Sequence, residues 1–193
     1  MSDDHTHRAA LCARASSGES LKYLLFWGHR PDARGSVTAS CFSQWYAADF
    51  VIDGQHYPTA EHWMMAAKAE LFDDAEVRAR ILTAANPGAA KALGRQVRGF
   101  DEQRWIAHRF AIVVRGNRAK FSQHPALAEF LARTGHKVLV EASPVDRVWG
   151  VGLARDDARA TDPQQWPGLN LLGFALMQVR ESLATFSQQV RTS

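Results

Sequence analysis

One short stretch of the sequence places chemically capable side chains inside an apolar segment. Residues 53–71 read DGQHYPTAEHWMMAAKAEL, so that a carboxylate, Glu61, and an ammonium group, Lys68, flank Met64 and Met65. The two charged residues are seven positions apart and share one face of an α-helix. Burying either charge costs several kcal/mol by rough estimate unless it is paired and hydrogen-bonded. The stretch therefore indicates a helix that buries charged groups at a cost in folding free energy, which a core helix with only a structural role avoids.

The same two residues also have a structural explanation. A glutamate in the first turn of a helix complements the positive end of the helix dipole at the surface. Lys68 can cover apolar surface with its methylene groups while its ammonium group reaches water. The spacing alone does not choose between this explanation and a functional one, because ion pairs in structural roles are common.

Local signals predict the helix that carries these residues. Asp53-Gly54 is typical of a turn, and Thr59 can cap a following helix by accepting a backbone N–H. Strong helix formers then run from Ala60 to Leu71. Because apolar residues point in most directions around its axis, this helix is predicted to be buried.

Composition predicts one ordinary soluble domain. The chain has 193 residues, of which 46% are hydrophobic and 22% charged, and its formal net charge is +3. That charge is too weak to require nucleic acid, although it permits an anionic ligand. No apolar run approaches the roughly 20 residues of a membrane span, so no membrane partner is expected. Residues 1–20 are polar and lack a hydrophobic signal core, so we expect a flexible tail there.

Cysteine and histidine usage argues against a disulfide or a metal site. The only cysteines are Cys12 and Cys41, and Cys12 lies in the expected tail, so a reducing, cytoplasmic location is predicted. The eight histidines form no His-x-x-x-His pair, and the chain contains no Cys-x-x-Cys pair. Nucleotide-binding glycine loops and the Gly-x-Ser-x-Gly elbow are also missing. We expect no metal and no cofactor.

The rest of the chain reads as mainly helical with a few short strands. Further helices are predicted over 73–82, from Pro87 to Gly94, from the cap Asp101 to about Phe121, over 125–131, and from about residue 171 with Asn170 as its cap. Strands are predicted over 21–27, 50–52 and 137–141, with a small hairpin at residues 50–57. Residues 155–167 are expected to form an exposed loop. A single domain over 21–187 follows, with residues 188–193 as a second tail.

A glycine-rich loop is the second informative stretch. Residues 142–153 contain Asp146 and Trp149 beside Pro144, Gly150 and Gly152. Glycines allow the backbone to approach a ligand closely, and functional side chains often lie on loops held by a scaffold. Taken alone, however, Asp146 is better explained as a cap that closes the loop, and Trp149 as a core residue.

Taken together in this order, the motifs resemble the NADAR or YbiA-like family. The residues that carry the resemblance are Ser43-Gln44-Trp45, Tyr57 to Lys68, Ala90 to Arg95, Trp105, Lys120-Phe121, Glu141 to Gly150, and Asn170 to Met177. The match runs from about Leu24 to Leu183. Two departures are Trp63, where tyrosine is frequent, and a longer loop at 155–167.

The resemblance implies a compact multihelical domain around a buried central helix, and an N-glycosidase. Members hydrolyse the N-glycosidic bond of ribosylaminopyrimidine phosphates, which are intermediates of riboflavin biosynthesis, and release ribose 5-phosphate and free base. Other members remove ADP-ribose from guanine in DNA. The expected partner is accordingly a small phosphorylated ribosyl-pyrimidine or an ADP-ribosylated nucleic acid. A non-catalytic module that binds nucleotide sugars is the third alternative.

The resemblance also assigns site residues. Glu61, Asp146 and Lys68 are the expected catalytic residues, because cleavage through an oxocarbenium-like state needs a carboxylate near the sugar and a donor for the leaving base. Lys68 is expected either to orient Glu61 or to contact a phosphate. The expected substrate-binding residues are Gln44, Trp45, Arg95, Trp105, Trp149, Gly150 and Asn170. For the DNA alternative, Arg95, Arg98 and Arg104 supply basic groups close together in sequence.

Overall fold

Seven helices and four short strands make up the part of the chain that the structure describes. The structure is a computed structural model and describes residues 3–191, with the side chains of residues 5–185. The helices are α1 (Asp3–Ser16), α2 (Ala60–Leu71), α3 (Ala75–Leu82), α4 (Pro87–Gly94), α5 (Glu102–Gln123), α6 (Pro125–Arg133) and α7 (Leu171–Arg191). The strands are β1 (Tyr23–Phe26), β2 (Phe50–Ile52), β3 (Gln55–Tyr57) and β4 (Val138–Glu141). The prediction of a mainly helical fold with a few short strands is confirmed.

The chain divides into two units. One is continuous and comprises residues 44–125, and the other is formed by residues 1–43 together with 126–193. They are described separately below as the continuous unit and the split unit.

The continuous unit is organised around α2. This helix begins at Thr59, whose hydroxyl accepts the N–H of His62 as the sequence predicts, and it packs against α3, α4 and α5. Nine of its twelve residues are buried, Glu61 among them. The prediction of a buried helix is therefore confirmed, and the alternative that Glu61 lies at the surface is wrong.

Short local signals set the other elements of the continuous unit. The turn at Asp53-Gly54 joins β2 and β3 into an antiparallel hairpin in which Phe50 pairs with Tyr57. Asp53 adopts a φ of 51° and Gly54 a φ of 78°, the left-handed conformation that this turn requires. Asp101 caps α5 by accepting the N–H of Arg104, as its position in the sequence predicts.

In the split unit, a parallel pair of strands supports α7. Tyr23 of β1 is in register with Val138 of β4, and α7 packs against β4. The core includes the fully buried side chains of Leu139 and Leu171. A short 3-10 helix at Ala39–Phe42 contributes Phe42, whose ring packs edge-on against Phe26 at 5.4 Å.

The N-terminal segment corrects one prediction. Residues 3–16, expected in a flexible tail, form α1, and Leu11 is buried with 3% of its surface exposed. His7 stacks on Phe174 of α7 with ring centroids 5.4 Å apart, and Arg8 Nε donates to the carbonyl of Pro163 at 3.0 Å. The segment is polar on average but rich in alanine, a strong helix former, and Leu11 supplies a buried apolar contact. The boundaries 21–187 of the single domain stay a prediction.

Two further segments differ from expectation. The loop at 155–167 contains a 3-10 helix, Ala158–Thr161, and Trp166 is buried with its Nε1 donating to the carbonyl of Ala160 at 3.0 Å. The charged residues of this segment predicted a fully exposed loop, but the buried side chain of Trp166 holds the segment against the core. At the other end, α7 continues to Arg191, past the expected start of a tail at residue 188, and residues 192–193 lie outside the described residues.

Candidate active site

The first turn of α2 is held rigidly by hydrogen bonds. The N–H of Glu61 donates to the carbonyl of Gln44 at 2.9 Å. Thr59 Oγ1 lies 2.8 Å from His62 Nδ1, and His62 Nε2 lies 3.1 Å from the carbonyl of Ala84. This pair of contacts fits the neutral His62 tautomer with its proton on Nε2, and burial lowers the pKa of His62. The backbone that carries Glu61 is therefore fixed on both sides.

Glu61 itself has only 3% of its surface exposed. It lies in the first turn of α2, where the helix dipole complements a negative charge. Buried carboxylates are uncommon in positions that serve packing alone, because desolvation disfavours the charge. Of the predicted site residues, Glu61 is thus the one whose environment departs furthest from that of an ordinary surface acid.

Gln44 and Asn117 form a buried amide pair in the continuous unit. Asn117 Nδ2 donates to Gln44 Oε1 at 2.8 Å and to the carbonyl of Val113 at 2.9 Å. The side chain of Gln44 is also buried, and its Nε2 is 4.0 Å from Met64 Sδ. Among the residues described, no donor reaches Asn117 Oδ1, which is buried as well. Gln44 is consequently placed by α5 as much as by its own segment.

Lys68 points to a different set of groups from those expected. Its Nζ donates to the carbonyl of Gly94 at 2.8 Å and lies 4.2 Å from the ring centroid of Phe100 and 5.7 Å from that of Trp105. Burial lowers the pKa of this half-buried ammonium group. The structure therefore brings Lys68 and Trp105 together, and the carbonyl that Lys68 binds belongs to the residue before Arg95.

The remaining predicted residues of the continuous unit, Arg95 and Trp45, lie at the end of α4 and against its side. Arg95 is exposed and ends α4 as its C-cap. Trp45 is half-buried, and a Cβ placed on Gly88 would lie 3.5 Å from its ring. Lys91 Nζ is 6.0 Å from the Trp45 ring centroid. Trp45 thus lies against the face of α4.

In the split unit, Asp146 closes its own loop. Its Oδ1 accepts the N–H groups of Val148 at 2.9 Å and Trp149 at 2.8 Å. These are the bonds expected of a loop cap, and they use one of the two carboxylate oxygens. Trp149 is half-buried, and its carbonyl accepts the N–H of Leu172 at 3.1 Å.

Gly150 and Asn170 hold the backbone of this unit together. A Cβ on Gly150 would lie 2.8 Å from the carbonyl oxygen of Glu141, so only glycine fits. Asn170 is fully buried with a φ of 56°, its Oδ1 accepts the N–H of Glu141 at 3.0 Å, and its Nδ2 donates to the carbonyl of Leu139 at 2.9 Å. Asn170 directly precedes α7, as predicted of its cap, and its carbonyl accepts the N–H of Phe174 at 3.1 Å, but its side-chain amide binds β4.

Sequence reasoning missed a polar stripe on α5. Arg109, Asn117 and Lys120 are buried at helical spacing, with Lys120 fully enclosed and its Nζ 5.4 Å from the ring centroids of both Tyr46 and Phe121. The periodicity was visible, since Val113 and Gly116 continue the same face. A search for apolar stripes passes over it, because polar residues are ordinarily assigned to the solvent side.

In the portion of the chain that is described, His, Cys, Asp and Glu form no group of three or more that could hold a metal ion. Within the same limits, no helix has the length and apolar character needed to cross a bilayer.

Comparisons with known proteins point to one family. The model of the NADAR domain family matches residues 25–184. The chain is 42% identical over 168 residues to N-glycosidase R617 of Acanthamoeba polyphaga mimivirus, covering 84% of this chain and 97% of the relative. It is 32% identical over 143 residues to N-glycosidase YbiA of Escherichia coli strain K12, covering 74% and 81%. The NMR structure of E. coli YbiA matches with a TM-score of 0.70 and 29% identity over 86% of this chain and 88% of that one.

Proposed function

The chain belongs to the NADAR domain family, and we propose that it is an N-glycosidase, an enzyme that hydrolyses N-glycosidic bonds. The observation that carries the proposal is the carboxylate of Glu61, buried in the first turn of α2 on a backbone fixed by Gln44 and His62. The two relatives described above that are named N-glycosidases support the same reaction class.

The reaction requires a carboxylate near the sugar. The bond between the anomeric carbon and the base nitrogen breaks, its electron pair leaves with the base, and a water oxygen bonds to the anomeric carbon. In this proposal Glu61 faces the sugar, stabilises the developing positive charge and accepts the proton of the attacking water. The base nitrogen takes up a proton from solvent as it leaves, and Glu61 afterwards returns the proton of the water to solvent, so that one water is consumed in each turnover.

Asp146 is proposed as the second carboxylate, acting on sugar hydroxyls or on the base. Because Oδ1 accepts two backbone N–H groups, Oδ2 is the oxygen that this role assigns to the substrate. Trp149 is proposed to stack on the heterocycle from the same loop. Gly150 and Asn170, whose groups hold the backbone near β4, are proposed to act by shaping this loop.

The proposed substrate is a ribosylaminopyrimidine phosphate of riboflavin biosynthesis, and the products are ribose 5-phosphate and free base. The neighbourhood of Lys68 supports a ligand that combines a flat ring with a phosphate, because the ammonium group and the Trp105 ring lie within 5.7 Å. Arg95 is a second cation for the phosphate, and Gln44 and Trp45 complete the proposed binding residues. The DNA alternative gains less support, since the Arg98 guanidinium is bound by Asp74 and Glu76.

Release of free base from two substrates tests the proposal. Wild type and Glu61→Gln are compared on a ribosylaminopyrimidine 5′-phosphate and on an oligonucleotide with ADP-ribosylated guanine. We expect release from the small phosphate, with kcat lowered by about 10²–10⁴-fold in Glu61→Gln, the usual contribution of a general base. Glu102→Gln, an exposed acid in the first turn of α5, is the matched control and should keep the wild-type rate.

Three other results would count against parts of the proposal. A fully active, folded Glu61→Gln variant would remove the catalytic role of this carboxylate. Release from the oligonucleotide alone would transfer the activity to ADP-ribosylated DNA. Thermal stabilisation by the small phosphate without release of base would make the protein a binding module.

A further inference from the structure

Phe100 is an exposed aromatic residue beside Lys68 in the continuous unit. Its side chain is 45% exposed, and none of the roles proposed above uses it. Lys68 Nζ lies over this ring, 4.2 Å from its centroid, whereas the Trp105 centroid is 5.7 Å away. A cation within about 6 Å of a ring centroid is attracted by the electrons of the ring face. Of these two rings, Phe100 is therefore the closer partner of an ammonium group that is proposed to meet a phosphate.

The end of α2 supports the Phe100 ring. The ring centroid is 5.3 Å from that of Phe72, the buried residue that ends α2. Lys68 and Phe72 are four positions apart, so their side chains lie on the same face of the helix. Phe100 thus packs across the end of α2, in contact with Phe72 and with the ammonium group of Lys68.

The short segment that carries Phe100 is fixed on both sides. Before it, the backbone N–H of Arg98 donates to Asp74 Oδ2 at 2.9 Å, and after it Asp101 caps α5 with its side chain. Between them, Gly99 has a φ of 66°, the left-handed conformation that favours glycine. A constrained turn therefore sets the position of the Phe100 ring before any ligand binds.

The contacts of Lys68 leave a donor for a ligand. An ammonium group has three N–H donors. One of them donates to the carbonyl of Gly94 at 2.8 Å, and the Phe100 ring covers the group from another side. The Lys68 side chain is half-buried and so still reaches solvent. Held by a carbonyl and a ring, the ammonium group keeps a remaining N–H for an anion of the substrate.

Phe100 also has a purely structural explanation. Single apolar residues are common on protein surfaces, and this ring covers part of Phe72. A structural role predicts that changing Phe100 alters stability and leaves the recognition of a phosphate unchanged. The contact with Lys68 predicts the opposite, so the two explanations can be separated by measurement.

We propose that Phe100 is a positioning residue for Lys68: its ring holds the ammonium group against the carbonyl of Gly94 and directs the remaining N–H to the phosphate of the substrate. This inference rests on the proposed function, in which Lys68 meets that phosphate. The ring acts through one charge and needs no contact with the substrate itself. Its effect should therefore be confined to phosphorylated ligands.

Kinetics on two substrates test the proposal: the ribosylaminopyrimidine 5′-phosphate and the same compound without its phosphate. We expect Phe100→Leu to raise KM for the phosphate about 3- to 30-fold, the range of a cation–π contact, with kcat unchanged. KM for the compound without phosphate should keep its wild-type value. Phe100→Tyr retains an aromatic ring and should behave as wild type. Val51→Ala, at a site that is 44% exposed in the same unit, is the matched control and should also behave as wild type.

A double-mutant cycle shows whether Phe100 acts through Lys68. In the Lys68→Met background, Phe100→Leu should cause no further rise in KM, because the charge that the ring positions is gone. A full additional rise would overturn the proposal. Wild-type kinetics in Phe100→Leu, or an equal rise in KM for both substrates, would overturn it as well.

Binding of ribose 5-phosphate separates this inference from the proposed function. Calorimetric titration measures this binding whether or not the protein releases base, and Phe100→Leu should weaken it by the same factor as KM. If wild type released no base and Phe100→Leu still lost affinity for ribose 5-phosphate, the N-glycosidase proposal would fail and the role of Phe100 would stand. Base release with equal affinity in wild type and Phe100→Leu would remove the role of Phe100 alone. Neither base release nor binding in wild type would overturn both.

Discussion

At the scale of single residues, Lys68 is a cation held by a backbone carbonyl and by aromatic rings. Its ammonium group is half-buried, is held by the carbonyl of Gly94 and lies against the ring of Phe100. Contacts with a carbonyl and with aromatic rings stabilise a cation without neutralising it. Among the described residues no carboxylate forms an ion pair with Lys68, so we expect a phosphate in this neighbourhood to meet a charge that is not neutralised.

Lys68 should also give the stability of the protein a dependence on alkaline pH. Burial lowers its pKa, so the unfolded chain binds more protons than the folded one just below the ordinary lysine value of about 10.4. Stability from this residue therefore rises with pH in that window. We expect Lys68→Met to flatten the rise in melting temperature between mildly alkaline pH and pH of about 10, measured by circular dichroism. The exposed Lys137→Met should keep the wild-type slope; an unchanged slope in Lys68→Met would contradict the prediction.

At the scale of elements, Asp74 joins α3 to the segment before α5. Its side chain is 1% exposed and caps α3 by accepting the N–H of Val77. It also accepts three hydrogen bonds from Arg98: one from the backbone N–H, at 2.9 Å, and two from the guanidinium group. These contacts hold the pKa of the Asp74 carboxyl far below its usual range.

Asp74→Asn should therefore lower stability in a pH-dependent way. The folded pKa is below the unfolded value of about 3.9, so the stabilisation is complete above that value and is lost as the pH falls through the folded value. We expect a lower melting temperature for Asp74→Asn at pH 7, and a difference from wild type that narrows below pH of about 4. The exposed neighbour Asp73→Asn serves as the control. If the difference in melting temperature between wild type and Asp74→Asn stayed constant with pH, the charge of the Asp74 carboxylate would not be the source of the stabilisation.

The contact between α2 and α5 depends on Gly116. A Cβ at this position would lie 2.6 Å from Trp63 Nε1, and Trp63 is fixed by its bond to Ile112. We expect Gly116→Ala to lower the free energy of unfolding by about 1–3 kcal/mol, as overpacked cores do, in urea titrations.

Gly94→Ala provides the matched comparison. The added methyl group there meets the flexible side chain of Met65, which can move aside. Its effect should be smaller than that of Gly116→Ala. If Gly94→Ala lowered the free energy of unfolding more than Gly116→Ala does, the fixed position of Trp63 would not be what prevents a larger residue at position 116.

Among these elements, those with local signals could be predicted from the sequence. Thr59 and Asp101 mark their helices within one turn, and the ends of α2 were predicted to the residue. Asp74 and Arg98 are 24 positions apart, and Asn170 binds Glu141 across 29 positions. Because these partners are distant in sequence, no local pattern predicts either contact. For the candidate site, the sequence itself singled out Glu61 as an acid in an apolar helix, and the resemblance gave it an expected catalytic role. The α5 stripe was missed because its polar members interrupt the apolar pattern.

At the scale of the whole molecule, α1 adds an element ahead of the family's matched region. The NADAR model begins at residue 25, whereas α1 contacts residues of α7 and the 155–167 segment through His7 and Arg8. This helix is thus part of the packed split unit in this chain.

Leu11 should accordingly behave as a core residue. Only 3% of the Leu11 surface is exposed. Leu11→Ala is therefore expected to lower the free energy of unfolding by about 2–5 kcal/mol, the range for buried leucines. Val145→Ala, at a site that is 87% exposed, should change it by no more than about 0.5 kcal/mol. If chemical denaturation gave equally small changes in the free energy of unfolding for Leu11→Ala and Val145→Ala, residues 3–16 would be a tail and not a packed helix.

The pairing of β1 with β4 has a consequence for the order in which the newly made chain can assemble. Tyr23 of β1 cannot pair with Val138 of β4 until the chain has been synthesised more than a hundred residues further. Every residue that packs α2 against α3, α4 and α5 has been synthesised by then. A nascent chain can therefore pack α2 against α3, α4 and α5 while β1 still lacks its partner strand, so β1 is the segment that most needs protection on the ribosome.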